Sequence, residues 1–256
     1  MKTLELQTMG AVTMVTMNRP DVRNAFNPEL IEELLEIFSA PPSSIIVLAG
    51  AGAVFSAGAD LEWMKKSAEL DTESNRKDAE RLARVFRTID ECDAITVAQV
   101  QGAAIGGGMG LVACCDVVVA ETGAMFGFTE ARLGLAPAVI SPFVINKIGV
   151  SAARRYFVTA QRFDAAEAMR IGLVHKVVEA SELDETTAKM VRRVAQGGPK
   201  AVLASKRLVR DVTRMERDHA IEHATRVIAD LRASEEGQEG LAAFLEKRTA
   251  KWVPGQ

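Results

Sequence analysis

Residues 101–116 read QGAAIGGGMGLVACCD. Gly106, Gly107 and Gly108 stand in a row, Gly110 follows after one residue, and an apolar run then opens. Upstream, Ile95–Val100 is a continuous apolar stretch of the kind a buried strand needs. Downstream, Val117–Ala120 is another. Between them the spacing predicts a helix over about 107–114. Strand, glycine turn, helix and strand in that order point to α/β architecture. A helix start presents unpaired N–H groups and a partial positive charge of about half an electron. Glycine lets another group come close to those donors. Three uses of such a turn stay open on the residues alone. One is a nucleotide-phosphate loop: Gly108-x-Gly110-x-x-Ala113 fits a loose dinucleotide pattern. That pattern also asks for an acid closing the next strand, and Phe126–Thr129 before Glu130 do not read as a strand. The second is close strand–helix packing with no ligand. The third is an oxyanion hole, whose backbone donors meet charge as it develops.

Working towards the N-terminus, Leu4, Leu6, Val12, Met14 and Thr16 recur with a period of two, which predicts a hairpin turning at Met9-Gly10. Asn18-Arg19-Pro20-Asp21 is turn chemistry. Asn27 is placed to cap a helix that begins with Pro28 and buries Leu30, Leu34 and Ile37. Ile45–Leu48 reads as a buried strand. Asp71 is placed to cap a long amphipathic helix ending near residue 91, with Leu82, Val85, Phe86 and Ile89 as its stripe.

Working towards the C-terminus, the pattern becomes helical only after about residue 180. Gly197-Gly198-Pro199 marks a break and a new helix start. Two regions are expected: an α/β core over 1–195 and a helical tail over 196–256. Ile221, Ala224, Ile228 and Leu231 form an apolar stripe on that tail, which needs a surface to cover.

Composition narrows the function classes. The chain has 256 residues, 48% of them hydrophobic, enough for one sizeable core. Its 31 Lys and Arg against 34 Asp and Glu leave a net charge of −3, which gives no electrostatic case for nucleic acid or an anionic membrane. No apolar run approaches the roughly 20 residues of a membrane span. The three cysteines, Cys92, Cys114 and Cys115, lack metal-ligand spacing and read as reduced core thiols of a cytoplasmic protein. His219 and His223 lie four apart, but no third ligand accompanies them, so no metal site is expected. Lys200, Lys206, Arg207, Arg210 and Arg214 make a basic helix interleaved with Asp211, Glu216 and Asp218, which reads as a solvated or ligand-facing surface.

A second small-residue loop follows the strand at 45–48: Phe55-Ser56-Ala57-Gly58-Ala59-Asp60-Leu61. It is placed to set a second backbone donor opposite Gly107. Together with Gly102–Gly108 and Cys115-Asp116, this loop resembles the enoyl-CoA hydratase/isomerase (crotonase) family. The resemblance runs nearly end to end, through Asn18-Arg19-Pro20 with Asn24-Ala25, Glu130 with Leu133–Pro137, Thr159–Val174, and Phe244–Arg248.

The resemblance implies an α/β fold, a crotonase-like spiral of repeated ββα units with a C-terminal helical trimerisation region. It implies an acyl-CoA thioester as substrate and self-association as a trimer or dimer of trimers. No further cofactor is expected, since coenzyme A belongs to the substrate. By position, the N–H groups of Ala59 and Gly107 would hold the thioester oxygen, and Glu130 would be the acid/base. Arg23, Ala25, Ala57, Asp60, Leu61, Gly106, Pro137 and Lys247 would bind substrate and coenzyme A, while the main task expected of Asp60 is to cap the helix after Ala59 and so fix that donor. Family hydratases carry a second glutamate where this chain has Gly110. That departure suits a hydratase working with one carboxylate, an isomerase moving one proton, or an acyl-CoA-binding scaffold without catalysis. Leu133–Pro142, LGLAPAVISP, is similar to the methylglutaconyl-CoA hydratase subgroup, which implies a branched, carboxylated acyl chain from leucine-type degradation. A distal carboxylate would want a cation, and Arg132 and Lys147 are candidates.

Overall fold

The computed structural model describes residues 1–253. The chain opens with the expected hairpin, β1 (Leu4–Met9) and β2 (Val12–Met17), turning at Gly10. Asn27 caps α1 (Pro28–Ser39), its side chain accepting from Leu30 N at 2.9 Å. There follow β3 (Ile45–Gly50), α2 (Leu61–Ala68), α3 (Thr72–Glu91), β4 (Ile95–Val100), β5 (Ala103–Ile105) and α4 (Gly107–Cys114). Next come β6 (Val117–Glu121), β7 (Met125–Gly127), α5 (Ser141–Thr159), β8 (Phe163–Asp164), α6 (Ala165–Arg170) and β9 (Lys176–Val178). Four helices close the chain: α7 (Leu183–Ala195), α8 (Pro199–Val212), α9 (Arg217–Ala233) and α10 (Glu235–Leu245).

Two sheets form, ordered β1-β2-β3-β4-β6-β9 and β5-β7-β8. β4-β5-α4 and β6-β7-α5 are two copies of one unit, each giving one strand to each sheet before its helix. The loop after β3 joins the same scheme through a parallel bridge between Ser56 and Ala104. The long sheet is parallel from β2 to β9 and apolar on both faces, as parallel sheets require. One face packs against α1, α3 and α4. The other carries Ile45, Val47 and Val97 with Val191 of α7.

Two expectations are corrected here. On β2 the deeply buried residues are Thr13, Val15 and Met17; Val12 and Met14 sit half-buried under the outer cluster, and Leu6 of β1 is exposed. The period of two was right, but both faces of β2 are covered, so alternation did not mark the inner one. Residues 125–127 do form a strand, paired in parallel with β5. The dinucleotide pattern gains nothing from it, because Gly108 and Gly110 lie buried inside α4 rather than in a loop.

In the C-terminal region α8, α9 and α10 pack on one another, and α8 also meets β4. Ile221, Ile228, Leu241, Phe244 and Leu245 remain exposed. The basic face of α8 differs from expectation at one point. Lys206 is nearly buried, with Nζ 2.9 Å from Asp116 Oδ2 and 2.8 Å from Ala94 O. Its partners come from strand ends about a hundred residues earlier, which helical spacing alone does not reveal. His175 is structural, its Nδ1 accepting from Val118 N at 2.9 Å. No helix among the described residues is long and apolar enough to cross a membrane.

Candidate active site

The turn at 18–26 builds one wall of the site. Asn24 is buried with φ 53°, a left-handed conformation that asparagine tolerates. Its side chain accepts from Arg19 N and donates to Ala51 O and Val54 O, tying the turn to the loop after β3. Ser56 Oγ donates to Asn24 O, and Ala57 N donates to Arg23 O. Phe26 then bridges across Ala59: Phe26 N donates to Gly58 O at 2.7 Å, and Asp60 N donates to Phe26 O at 2.9 Å. In a parallel pairing the residue between those two bonds directs its own N–H to the opposite side. That residue is Ala59. Asp60 caps α2 by accepting from Glu62 N, and Arg19 Nη2 holds its other oxygen at 2.8 Å. Burial opposes the Asp60 charge, but hydrogen bonds from Arg19 and the helix amides outweigh it and hold the pKa below the usual carboxylate range.

The opposite wall is the start of α4. Gly106, at φ 53°, donates its N–H to Gly127 O and turns the chain into the helix. The two loops touch: a Cβ on Gly58 would lie 3.0 Å from Ile105 O and 3.7 Å from Gly106 Cα. A Cβ on Gly108 would lie 2.8 Å from Ser56 O. The glycine run therefore serves close packing as well as donor access. Among the described residues, neither the N–H of Ala59 nor that of Gly107 has an acceptor.

Glu130 follows β7 and opens a short helical turn, Glu130–Leu133. Its Oε1 lies 3.4 Å from where a Gly106 Cβ would stand. Its Oε2 is buried with no hydrogen-bond partner among the described residues. Burial pushes its pKa up from the ordinary glutamate range, with only a backbone hydrogen bond opposing. A buried polar atom without a partner is uncommon enough to need a reason.

Ala57, Ala59, Gly106, Gly107, Glu130 and Pro137 line a single cavity of about 240 Å³. Phe26, Trp63, Met64, Leu82, Val139 and Ile140 form its apolar wall. Sequence reasoning missed these as site residues. Leu82 shared the apolar period of α3, but period does not tell a core contact from a cavity wall.

Other expected residues sit elsewhere. Asp60 acts as a cap, and Ala25 is buried with its carbonyl accepting from Arg19. Leu61 is 73% exposed at the start of α2, outside the cavity. Arg23 is exposed on the turn, its carbonyl holding Ala57. Lys247 is exposed just past α10, away from the cavity lining. Arg132 is exposed on the Glu130 turn. Lys147 lies at the far end of α4, with Nζ donating to Cys115 O at 2.7 Å. No Lys or Arg lines this cavity among the described residues.

Gly110 has a steric explanation. A Cβ there would lie 2.5 Å from Ile140 Cγ2 and 2.6 Å from Phe86 Cε1. Two apolar side chains occupy the space, so no carboxylate fits at this position.

A family model described as enoyl-CoA hydratase/isomerase matches residues 7–254. The chain belongs to the enoyl-CoA hydratase/isomerase family. The short-chain-enoyl-CoA hydratase of Clostridium acetobutylicum is 33% identical, over 95% of this chain and 94% of that one. The crystal structure of an enoyl-CoA hydratase from Shewanella pealeana superposes with a TM-score of 0.92 at 39% identity, covering 98% of this chain and 96% of that one. An enoyl-CoA hydratase/isomerase from Marinobacter aquaeolei gives 0.94 at 33% identity, covering 99% and 100%. The strand-strand-helix spiral described above is thus the crotonase fold of this family.

Proposed function

We propose that this chain hydrates a 2-enoyl-CoA thioester with one carboxylate as both base and acid. The observation that carries the reading is a buried, unpartnered Glu130 oxygen in the same cavity as two unpartnered amides, Ala59 and Gly107. The thioester oxygen would accept from both amides. As a water oxygen bonds to C3, electrons move through C2 onto that oxygen, and the amides meet the developing charge. Glu130 takes the proton released by the water. Its carboxyl then returns a proton to C2 on the same face as the enolate collapses. Hydration changes no oxidation state, so the proposal includes no redox cofactor, and no metal takes part.

The proposed acyl chain is short and branched, as in 3-methylglutaconyl-CoA of leucine-type degradation. The likeness of residues 133–142 to that subgroup and the compact apolar wall support it. With no cation in the lining, a distal carboxylate would rest on neutral donors and solvent at the cavity mouth. The exposed apolar side chains of α9 and α10 support self-association as a trimer or a dimer of trimers, and the buried thiols suit a cytoplasmic setting.

The test is enoyl-thioester absorbance, followed for crotonyl-CoA and 3-methylglutaconyl-CoA with wild type and Glu130→Gln. Wild type should turn over at least one ester, and the variant should lose about 10²–10⁴-fold in kcat without losing stability. Equal traces for the two proteins would remove Glu130 from the mechanism. The steric closure at Gly110 also favours a second reading, a Δ3,Δ2-enoyl-CoA isomerase that needs only one base. Turnover of 3-enoyl-CoA alone selects it. Tight binding with no turnover of any ester selects a non-catalytic acyl-CoA-binding protein.

A further inference from the structure

We infer that Trp63, held in place by Asp78, closes the acyl end of the cavity and sets the length of chain the enzyme accepts. This deepens the hydration reading and rests on it. The 240 Å³ cavity holding Glu130 abuts a second space of about 770 Å³ between α2 and α3. The inner space alone reaches Gly106, Gly107 and Glu130; the outer alone reaches Ser67, Asn75, Asp78 and Ala79. Ala59, Trp63, Met64, Leu82, Leu133, Leu135 and Val139 line both, so the boundary runs through them. Trp63 is the bulkiest of these. Leu133 and Leu135 are 59% and 60% exposed and offer little resistance to displacement.

The indole needs its own anchor, because α2 is eight residues long and buries none of them. Its N-terminus is fixed by Asp60, and the indole meets the core only as a half-buried side chain at its edge. The anchor is polar: Trp63 Nε1 donates to Asp78 Oδ2 on α3 at 2.9 Å. A half-buried indole usually finds such a partner, and here the partner also orients the ring as a wall. A short or branched acyl group stays within the inner space. A longer one must pass the indole into the groove between α2 and α3. No Lys or Arg lines either space among the described residues. The discrimination is therefore steric rather than electrostatic. Trp63 is a specificity residue, and Asp78 is a positioning residue acting through it.

The test compares kcat/KM for crotonyl-CoA and trans-2-decenoyl-CoA in wild type, Trp63→Ala, Asp78→Ala and Asp78→Asn. Trp63→Ala should raise the decenoyl-to-crotonyl ratio about tenfold or more, the scale at which apolar pockets sort chains differing by methylenes. Asp78→Ala should shift the ratio the same way by a smaller factor. Asp78→Asn keeps an acceptor for the indole and should restore the wild-type ratio. With Trp252→Phe present throughout, Trp63 is the remaining tryptophan of the chain, and its emission should change on acyl-CoA binding. An unchanged ratio in Trp63→Ala, with crotonyl-CoA turnover still dependent on Glu130, overturns the inference while leaving the hydration reading intact. Loss of Glu130 dependence overturns that reading instead. An Asp78→Asn ratio matching that of Asp78→Ala removes Asp78 from the role.

Discussion

The two ends of α4 are both polar, and they are handled in opposite ways. At the C-terminal end the charged side chains of Lys147, Asp116 and Lys206 find partners. Lys147 donates to the Cys115 carbonyl, where a cation also suits the helix dipole. Asp116 accepts from Thr96 N, Thr96 Oγ1 and Lys206. At the N-terminal end the Gly107 amide, the Ala59 amide opposite and Glu130 Oε2 all lack partners among the described residues. A satisfied network holds a fold together; an unsatisfied one costs stability and is retained where it meets a ligand. The contrast sets the proposed site at one end of an eight-residue helix and a stabilising network at the other.

Substitutions can break that division. The largest effect is expected from Ala59→Pro, which deletes one amide of the unanswered end. Because that amide has no acceptor among the described residues, the fold should survive by circular dichroism, while kcat falls about 10²–10³-fold. At the answered end, Lys206→Met strands Asp116 beside a 9%-exposed position. It should cost about 3 kcal/mol and lower Tm by roughly 5–10 °C, with kcat per folded molecule unchanged. A fall in kcat without a fall in Tm would mean that the two ends do not divide the labour.

Midway along the helix, Gly110→Ala forces a methyl group against Ile140 and Phe86. Overpacking of this kind should cost about 1–3 kcal/mol in a denaturant titration. The smallest effect sharpens the comparison through pH. Burial raises the Glu130 pKa in the folded chain. Between the ordinary value, about 4.3, and the raised one, the folded chain keeps a proton that the unfolded chain has released. The stability contribution of Glu130 is thus whole below the ordinary pKa and declines as pH rises through the raised value. In the proposed mechanism activity moves the other way, since Glu130 must be ionised to act as the base. Glu130→Gln should flatten that stability slope, as read from Tm between pH 4 and 7.

Much of this was legible in the residues. The glycine run, the capped helices at Asn27, Asp60 and Asp71, and the apolar strands at 45–48 and 95–100 are local signals, and the structure follows them. The failures share a cause: each depends on a neighbour distant in sequence. Gly110 is fixed by Phe86 and Ile140, 24 positions before it and 30 after. Lys206 is buried because Asp116 and Ala94 wait for it across the fold. The strand at 125–127 is three residues long and exists because β5 lies beside it. Within the site, Glu130 and the two amides were reachable from the chain. The wall of Trp63, Met64, Val139 and Ile140 was not, because a cavity is a property of what surrounds it.

Cys114 and Cys115 close the same helix whose first residue lines the cavity, and both are buried, at 3% and 1% exposure, beside a second cavity under α8. Burial pushes their pKa values upward, for Cys115 to about 12, so almost no thiolate exists at neutral pH. Alkylating reagents must wait for this part of the core to open, and that event also displaces the Gly107 donor seven residues before Cys114. The pair therefore works as a built-in clock: the rate at which it takes up label counts the moments when the enzyme has ceased to be one.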